Sequence, residues 1–219
     1  SAYGVTNETE REQGVAVVDI GSGLTDLIVF RGGQAEFVST IPVGGLNFTQ
    51  DLAVGLRTPQ SEAETIKKTQ GSALIDMVSA EDSVEVPSLK GEEPRLFSKQ
   101  FVCEILEARA EETLGLILKK LNDENLLFHL EAGVFLTGGG SLLPGLTELG
   151  KFAFDIPLKR GLPKELAGLG QLNQGPGLST SLGLLQYARE RHSFEPIELS
   201  IDTFRTKWGQ LKNLIDNIL

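Results

Sequence analysis

The sequence predicts an α/β protein, a mixed sheet flanked by helices, and three observations carry that prediction. In Gly14-Val-Ala-Val-Val-Asp-Ile-Gly-Ser-Gly-Leu-Thr-Asp-Leu-Ile-Val-Phe30, two apolar β-type runs are joined by a turn of small residues, which reads as a hairpin. Ala132 to Thr137 is a buried strand that passes through Gly138-Gly-Gly140 into a helix. Between them Ser98 opens a long amphipathic helix. A chain of 219 residues with 40% hydrophobic and 23% charged residues buries a core of its own.

Ser1 to Gln13 is polar and acidic, with no core pattern of its own. After the hairpin, Gly32-Gly33 makes a turn and Gln34 to Ile41 a third strand. Pro42-Val-Gly-Gly45 is a loop, and Asn47 or Thr49 caps a helix starting near Phe48. Ser61 with Glu64 forms a capping box for the next helix, Ser61 to Gln70, which Gly71 stops. Residues 80–98 alternate weakly around Pro87, Gly91 and Pro94, as short strands and turns do. In the helix from Ser98, Phe101, Ile105, Ala108, Glu112 and Leu116 form one stripe, widened by Val102, Leu106, Leu114 and Leu118. After Gly145 come a helix, a short strand near Ile156 to Leu158, a Gly/Pro-rich loop over 161–176 and a core helix from Gly177 to Arg189. His192 to Glu198 reads as a linker before a last amphipathic helix, Ile201 to Leu219.

Charge and composition exclude several functions. Lys and Arg number 20 against 30 Asp and Glu, a net charge of −10, which argues against a nucleic-acid partner. The lone Cys103 excludes an internal disulfide, fits a reducing cytosol, and falls in a helical apolar pattern as buried filler. His129 and His192 have no acidic or cysteine partner at metal-ligand spacing, and no Ser/His/Asp pattern is visible. The sequence has no apolar stretch long enough to span a bilayer and no signal-peptide pattern.

Two glycine bends are the candidate site. Gly21, Ser22 and Gly23 let backbone N–H groups approach an anion, while Asp19 and Thr25 at the rim suit a metal-bound water and a phosphate oxygen. An ordinary glycine-rich hairpin reads the same way, and that stretch alone leaves both open. Gly138 to Gly140 permit backbone to lie flat against a ring or ribose, with a helix N-terminus behind them. A strand followed by a strand is neither a Rossmann nor a P-loop arrangement.

Five segments in order resemble the actin-like ATPase superfamily: Asp19-Ile-Gly-Ser-Gly-Leu-Thr-Asp26, Val43-Gly-Gly-Leu-Asn-Phe-Thr-Gln-Asp-Leu-Ala53, Ala63-Glu-Thr-Ile-Lys67, Thr137-Gly-Gly-Gly-Ser141 and Gly177 to Tyr187. Within it, Glu8 to Asp19, and Ser98-Lys99 with Glu107-Ala-Arg-Ala-Glu111, resemble the bacterial cell-division FtsA family over roughly residues 4–190. The resemblance implies an actin/ribonuclease-H-like fold: subdomain 2A from 1–45 and 131–191, an inserted α+β subdomain 2B from 46–130, a linker at 192–200 and an amphipathic helix at 201–219. It implies ATP and Mg²⁺ as cofactors. Asp19 would face the metal through water, Gly21, Ser22, Gly23 and Thr25 the phosphates, Glu64 and Lys67 the ribose, and Gly138, Gly139, Gly140 and Ser141 the adenosine. Ser22-Gly23-Leu24 departs from the family's Gly-Gly-Thr, losing a hydroxyl at Leu24. Such proteins have two lobes, and this sequence resembles the second alone. Alone, it is expected to bind ATP poorly and to be inactive, the full-length protein being a weak ATPase at most.

Phe204, Trp208, Leu211, Ile215 and Ile218 recur at helical spacing, with Arg205, Lys207 and Lys212 beside them. Such a helix suits the membrane interface, although composition alone favours packing on its own domain. The resemblance implies a membrane-targeting helix, reversible binding to anionic lipid strengthened by polymer avidity, and a peripheral place on the cytoplasmic face of the inner membrane. It also implies self-association into filaments and the tubulin-like FtsZ as partner. The functional expectation is a polymerising adaptor that ties the division ring to the membrane. The alternatives are a PilM- or MreB-like scaffold and a sugar- or acetate-kinase-type lobe.

Overall fold

The computed structural model describes residues 1–89, 93–164 and 175–191. Residues 1–186 form one unit; of the second, 187–219, only the end of a helix is described. Strand β1 (Val15–Ile20) is apolar at every position but Asp19, and that pattern puts it at the sheet centre, covered on both faces. It pairs antiparallel with β2 (Thr25–Arg31), which pairs antiparallel with β3 (Gln34–Ile41). On its other side β1 runs parallel to β6 (Gly133–Thr137), which is itself parallel to β7 (Leu158–Arg160). The sheet order is therefore β3-β2-β1-β6-β7. A separate hairpin joins β4 (Ser83–Val86) and β5 (Arg95–Ser98).

Alternation along β1 splits the core. Ala16, Val18 and Ile20 face the larger core with Leu27, Val29, Val134 and Leu136. That core is completed by α3 (Gly45–Leu56), α4 (Gln60–Gln70), α5 (Lys99–Asp123) and α6 (Leu146–Phe154). Val15 and Val17 face a smaller core with Phe30 and Phe135. Burial of this kind contributes roughly 1.5–3 kcal/mol for each large side chain.

Several expectations about elements need correction. The first 13 residues do contribute to the core: α1 (Ala2–Val5) buries Ala2 and Val5, and α2 (Glu8–Gln13) is capped reciprocally by Asn7 and Glu10 at 2.7 and 2.9 Å. Helix α3 begins at Gly45, three residues before Phe48, because Asn47 sits inside the first turn and accepts the Gly44 N–H at 2.9 Å. Helix α4 follows Pro59, whose fixed φ suits a helix start; Ser61 is not its cap, and Glu64 turns to Lys67 and Lys68 instead. Ser98 does cap α5, its hydroxyl accepting the Phe101 N–H at 3.2 Å. The buried stripe of α5 is Val102, Leu106, Ala110, Leu114, Ile117 and Leu121, whereas Phe101, Ala108 and Glu112 are exposed. Strand β7 starts at Leu158, two residues later than Ile156, because Pro157 has no N–H to donate and its carbonyl takes Val134 N–H at 2.8 Å. Helix α7 (Ser179–Arg191) follows a 3₁₀ turn at Pro176–Leu178. The linker and the terminal amphipathic helix, with Phe204, Trp208, Leu211, Ile215 and Ile218, lie outside the described residues.

Candidate functional site

Parallel pairing of β1 and β6 brings both glycine bends to one end of the sheet, since each follows the C-terminal end of its strand. The contact is tight. Gly138 has φ +81, and a Cβ on it would stand 2.3 Å from Asp19 Oδ1 and 2.5 Å from the Ile20 carbonyl. A Cβ on Gly140 would meet Ile20 Cγ2 at 2.3 Å, so β1 and the bend after β6 touch only because these residues are glycine. The other bend is anchored to α3, with Gly45 N–H on the Gly21 carbonyl at 2.9 Å and Leu46 N–H on the Ser22 carbonyl at 2.7 Å.

Above the bends lies a cavity of about 760 Å³, within the range of small-molecule sites. Its walls are Gly21 and Ser22, the start of α3, the inner face of α4 and the segment from Gly139 to Pro144. Gly139 leaves open space where a Cβ would stand, and Leu46, Phe48, Leu142, Leu143 and Pro144 give the cavity an apolar side.

Of the residues expected here, Gly21, Ser22, Glu64, Lys67, Gly139 and Gly140 line this cavity together. Asp19, Gly23, Thr25, Gly138 and Ser141 are not in its wall. Thr25 is fully buried and donates to the Val43 carbonyl at 2.8 Å, and Ser141, also buried, donates to the Gly138 carbonyl at 2.7 Å. Both hydroxyl protons are given to backbone carbonyls. Asp19 sits at the end of β1, where Thr180 Oγ1 of α7 donates to its Oδ2 at 2.9 Å. Among the described residues no three His, Cys, Asp or Glu side chains gather to hold a metal ion. The cavity residues that sequence reasoning missed are Thr49, Lys68, Gln60, Ser61 and the apolar wall. Leu46, Phe48 and Thr49 stand inside the segment Val43 to Ala53, where only register in space shows which side chains face inward.

The polar side of the cavity is one connected group. Lys67 Nζ lies 2.6 Å from Glu64 Oε2, 2.8 Å from Thr49 Oγ1 and 2.8 Å from the Gly45 carbonyl. Thr49 donates to Glu64 Oε2, and Lys68 Nζ is 3.0 Å from Glu64 Oε1. Burial opposes ionisation of Glu64, but hydrogen bonds from Lys67, Thr49 and Lys68 outweigh it and hold the carboxyl at about 2. A fixed carboxylate beside an apolar wall and a glycine floor accepts ligand hydroxyls and leaves room for a flat ring.

The family model for the cell division protein FtsA matches residues 16–183. The chain belongs to the FtsA family. It is 40% identical over 199 residues to the FtsA of Escherichia coli K12, covering 88% of this chain and 47% of that protein. Against the Bacillus subtilis FtsA it is 33% identical over 182 residues, 83% of this chain and 40% of the relative. The chain thus spans about half the length of the curated FtsA relatives it matches. Solved structures with this fold include MreB5 of Spiroplasma citri bound to ADP, at TM-score 0.68 and 20% identity over 87% of this chain and 57% of that one. The MamK double helical filament matches at TM-score 0.59 and 19% identity, over 80% and 54% respectively. The expected mixed α/β, actin-like fold is therefore present in this member of the FtsA family. The matched FtsA span contains both glycine bends and the α4 pair Glu64 and Lys67.

Proposed function

We propose that this chain is the nucleotide-binding second lobe of a polymerising FtsA adaptor that ties the division ring to the cytoplasmic face of the cell membrane. One observation carries the reading: both glycine bends and the α4 carboxylate wall a single cavity of about 760 Å³. The residues fit ATP. Gly139 and Gly140 form a flat floor for the adenosine, Leu142, Leu143 and Pro144 flank the ring, Glu64 accepts from ribose hydroxyls, and Gly21 and Ser22 lie on the phosphate side. Asp19 would hold Mg²⁺ through water. Bound ATP supplies a hydrolysable phosphoanhydride; the chain binds it, orients it and shields one side of it. The MreB5 structures bound to ADP and AMPPNP, and the MamK filament, support nucleotide binding and self-association in this fold. Family membership favours FtsA over a PilM-like scaffold, which matches at 21% identity.

In this reading residues 1–45 and 131–191 are subdomain 2A, 46–130 is subdomain 2B, and 201–219 is the helix that meets anionic lipid while FtsZ is the ring partner. The apolar stripe of Phe204, Trp208, Leu211, Ile215 and Ile218 supports the lipid contact. Calorimetric titration with ATP and Mg²⁺ tests the cavity. Binding with a Kd on the order of millimolar is expected for one lobe, and Gly139→Leu abolishes it by filling the floor. Equal heats from both proteins would refute the assignment.

A further inference from the structure

Lys67 has three ammonium protons, and the cleft gives each a protein acceptor. Gly45 O and Thr49 Oγ1 each lie at 2.8 Å and Glu64 Oε2 at 2.6 Å, while the side chain is only 14% exposed. Thr49, 1% exposed, has one hydroxyl proton and two acceptors in reach, the Gly45 carbonyl at 3.1 Å and the nearer Glu64 Oε2; given to Glu64, that proton leaves a lone pair for Lys67. Glu64 Oε2 is thus held from the protein side by two donors. Oε1 pairs with Lys68, whose side chain is 68% exposed and moves off at little cost.

We propose that Thr49 is a positioning residue of the cleft, with Lys67 its partner in that role. Together they lock Glu64 so that Oε1 is offered to a vicinal diol, the sugar of a nucleoside ligand, in the place Lys68 fills. The inference rests on the nucleotide reading and goes beyond it. It gives Lys67 no bond to the ligand, in contrast to the ribose contact that the family resemblance implies, and it names a threonine 15 residues from its carboxylate as the residue that aims it. Thr49→Val keeps the shape and removes the hydroxyl, which leaves Lys67 one proton short of an acceptor and takes away one of the two donors that fix Glu64 Oε2.

The test compares ATP with 2′,3′-dideoxy-ATP, which lacks both hydroxyls, by NMR titration at millimolar nucleotide on the full chain and its Thr49→Val and Thr49→Ser variants. Wild type prefers ATP by about tenfold, the worth of a hydrogen bond to a charged group. Thr49→Val loses that preference while its affinity for the dideoxy nucleotide is unchanged, and Thr49→Ser restores it. Equal weakening for both nucleotides in Thr49→Val means a merely structural role and overturns the proposal, as does an unchanged preference. Wild type binding both nucleotides equally overturns the inference and leaves the nucleotide reading intact; wild type binding neither sinks that reading first. A second readout needs no nucleotide. Carbon-detected titration places the Glu64 carboxyl well below the usual range in wild type and moves it up in Thr49→Val; no movement contradicts the lock.

Discussion

Gly138→Ala perturbs a close contact between the bend after β6 and the end of β1. Gly138 has φ +81 and ψ 167, a backbone region that only glycine enters freely, and forcing alanine into it costs about 1–3 kcal/mol. The added Cβ would also stand 2.5 Å from the Ile20 carbonyl and 2.3 Å from Asp19 Oδ1. The Asp19 carboxylate turns aside only by giving up its bond from Thr180, and the Ile20 carbonyl belongs to the central strand and does not yield, which adds about 1–3 kcal/mol of overpacking. Together the variant loses about 3 kcal/mol or more, enough to lower Tm by about 10 °C in a domain of this size. Gly139→Ala is the internal control: its Cβ meets no atom within 4 Å, and stability stays within about 0.5 kcal/mol of wild type. Urea unfolding followed by circular dichroism reads both. A Gly138→Ala midpoint equal to wild type, or a Gly139→Ala midpoint equally depressed, would refute the stated packing of the bends.

Other expectations follow from the same structure. Thr25→Val strands the Val43 carbonyl in a buried place and costs about 1–2 kcal/mol; an unshifted urea midpoint would contradict that role. Glu64 has a folded-state pKa of about 2 against 4.5, so its contribution is present above about pH 4.5 and fades as pH falls toward 2. After discounting for its partial exposure, Glu64→Gln is less stable than wild type by about 1 kcal/mol at pH 7, and the gap closes toward pH 2; a gap independent of pH would contradict the ion-paired carboxylate. The groups facing that carboxyl are Lys67 and Lys68 on its own helix and Thr49 on α3. Trp208→Glu is expected to abolish co-sedimentation with anionic liposomes without shifting the urea transition, and retained binding would rule out the terminal helix as a membrane foot.

The sheet was legible where burial leaves a simple pattern. An unbroken apolar run marks β1 as central, glycine-rich turns mark the hairpin, and the run into Gly138 marks β6. The face of α5 was misread because Phe101, Ile105 and Leu116 also repeat at helical spacing, and periodicity alone does not say which of two adjoining stripes meets the sheet. The first 13 residues looked coreless because Ala2 and Val5 are too few to show a period, yet they cover one face of β1. Both glycine bends could be read as a site because small residues in sequence order leave backbone bare. Glu64 and Lys67 were expected there from the family resemblance, but their partner Thr49 was not, since it stands on another helix 15 and 18 residues away in sequence and its register is set by packing. For the same reason Thr25 and Ser141 looked like ligand hydroxyls, although folding gives each to a backbone carbonyl.

Amide NMR of the whole chain during titration with Mg²⁺-ATP tests the central claim most directly. Shifts confined to residues 21–22, 45–49, 60–68 and 139–144, rising together with one apparent affinity, are the predicted result. Shifts scattered over other surfaces, or none at millimolar ATP, would show that the hollow between the bends is not a nucleotide site.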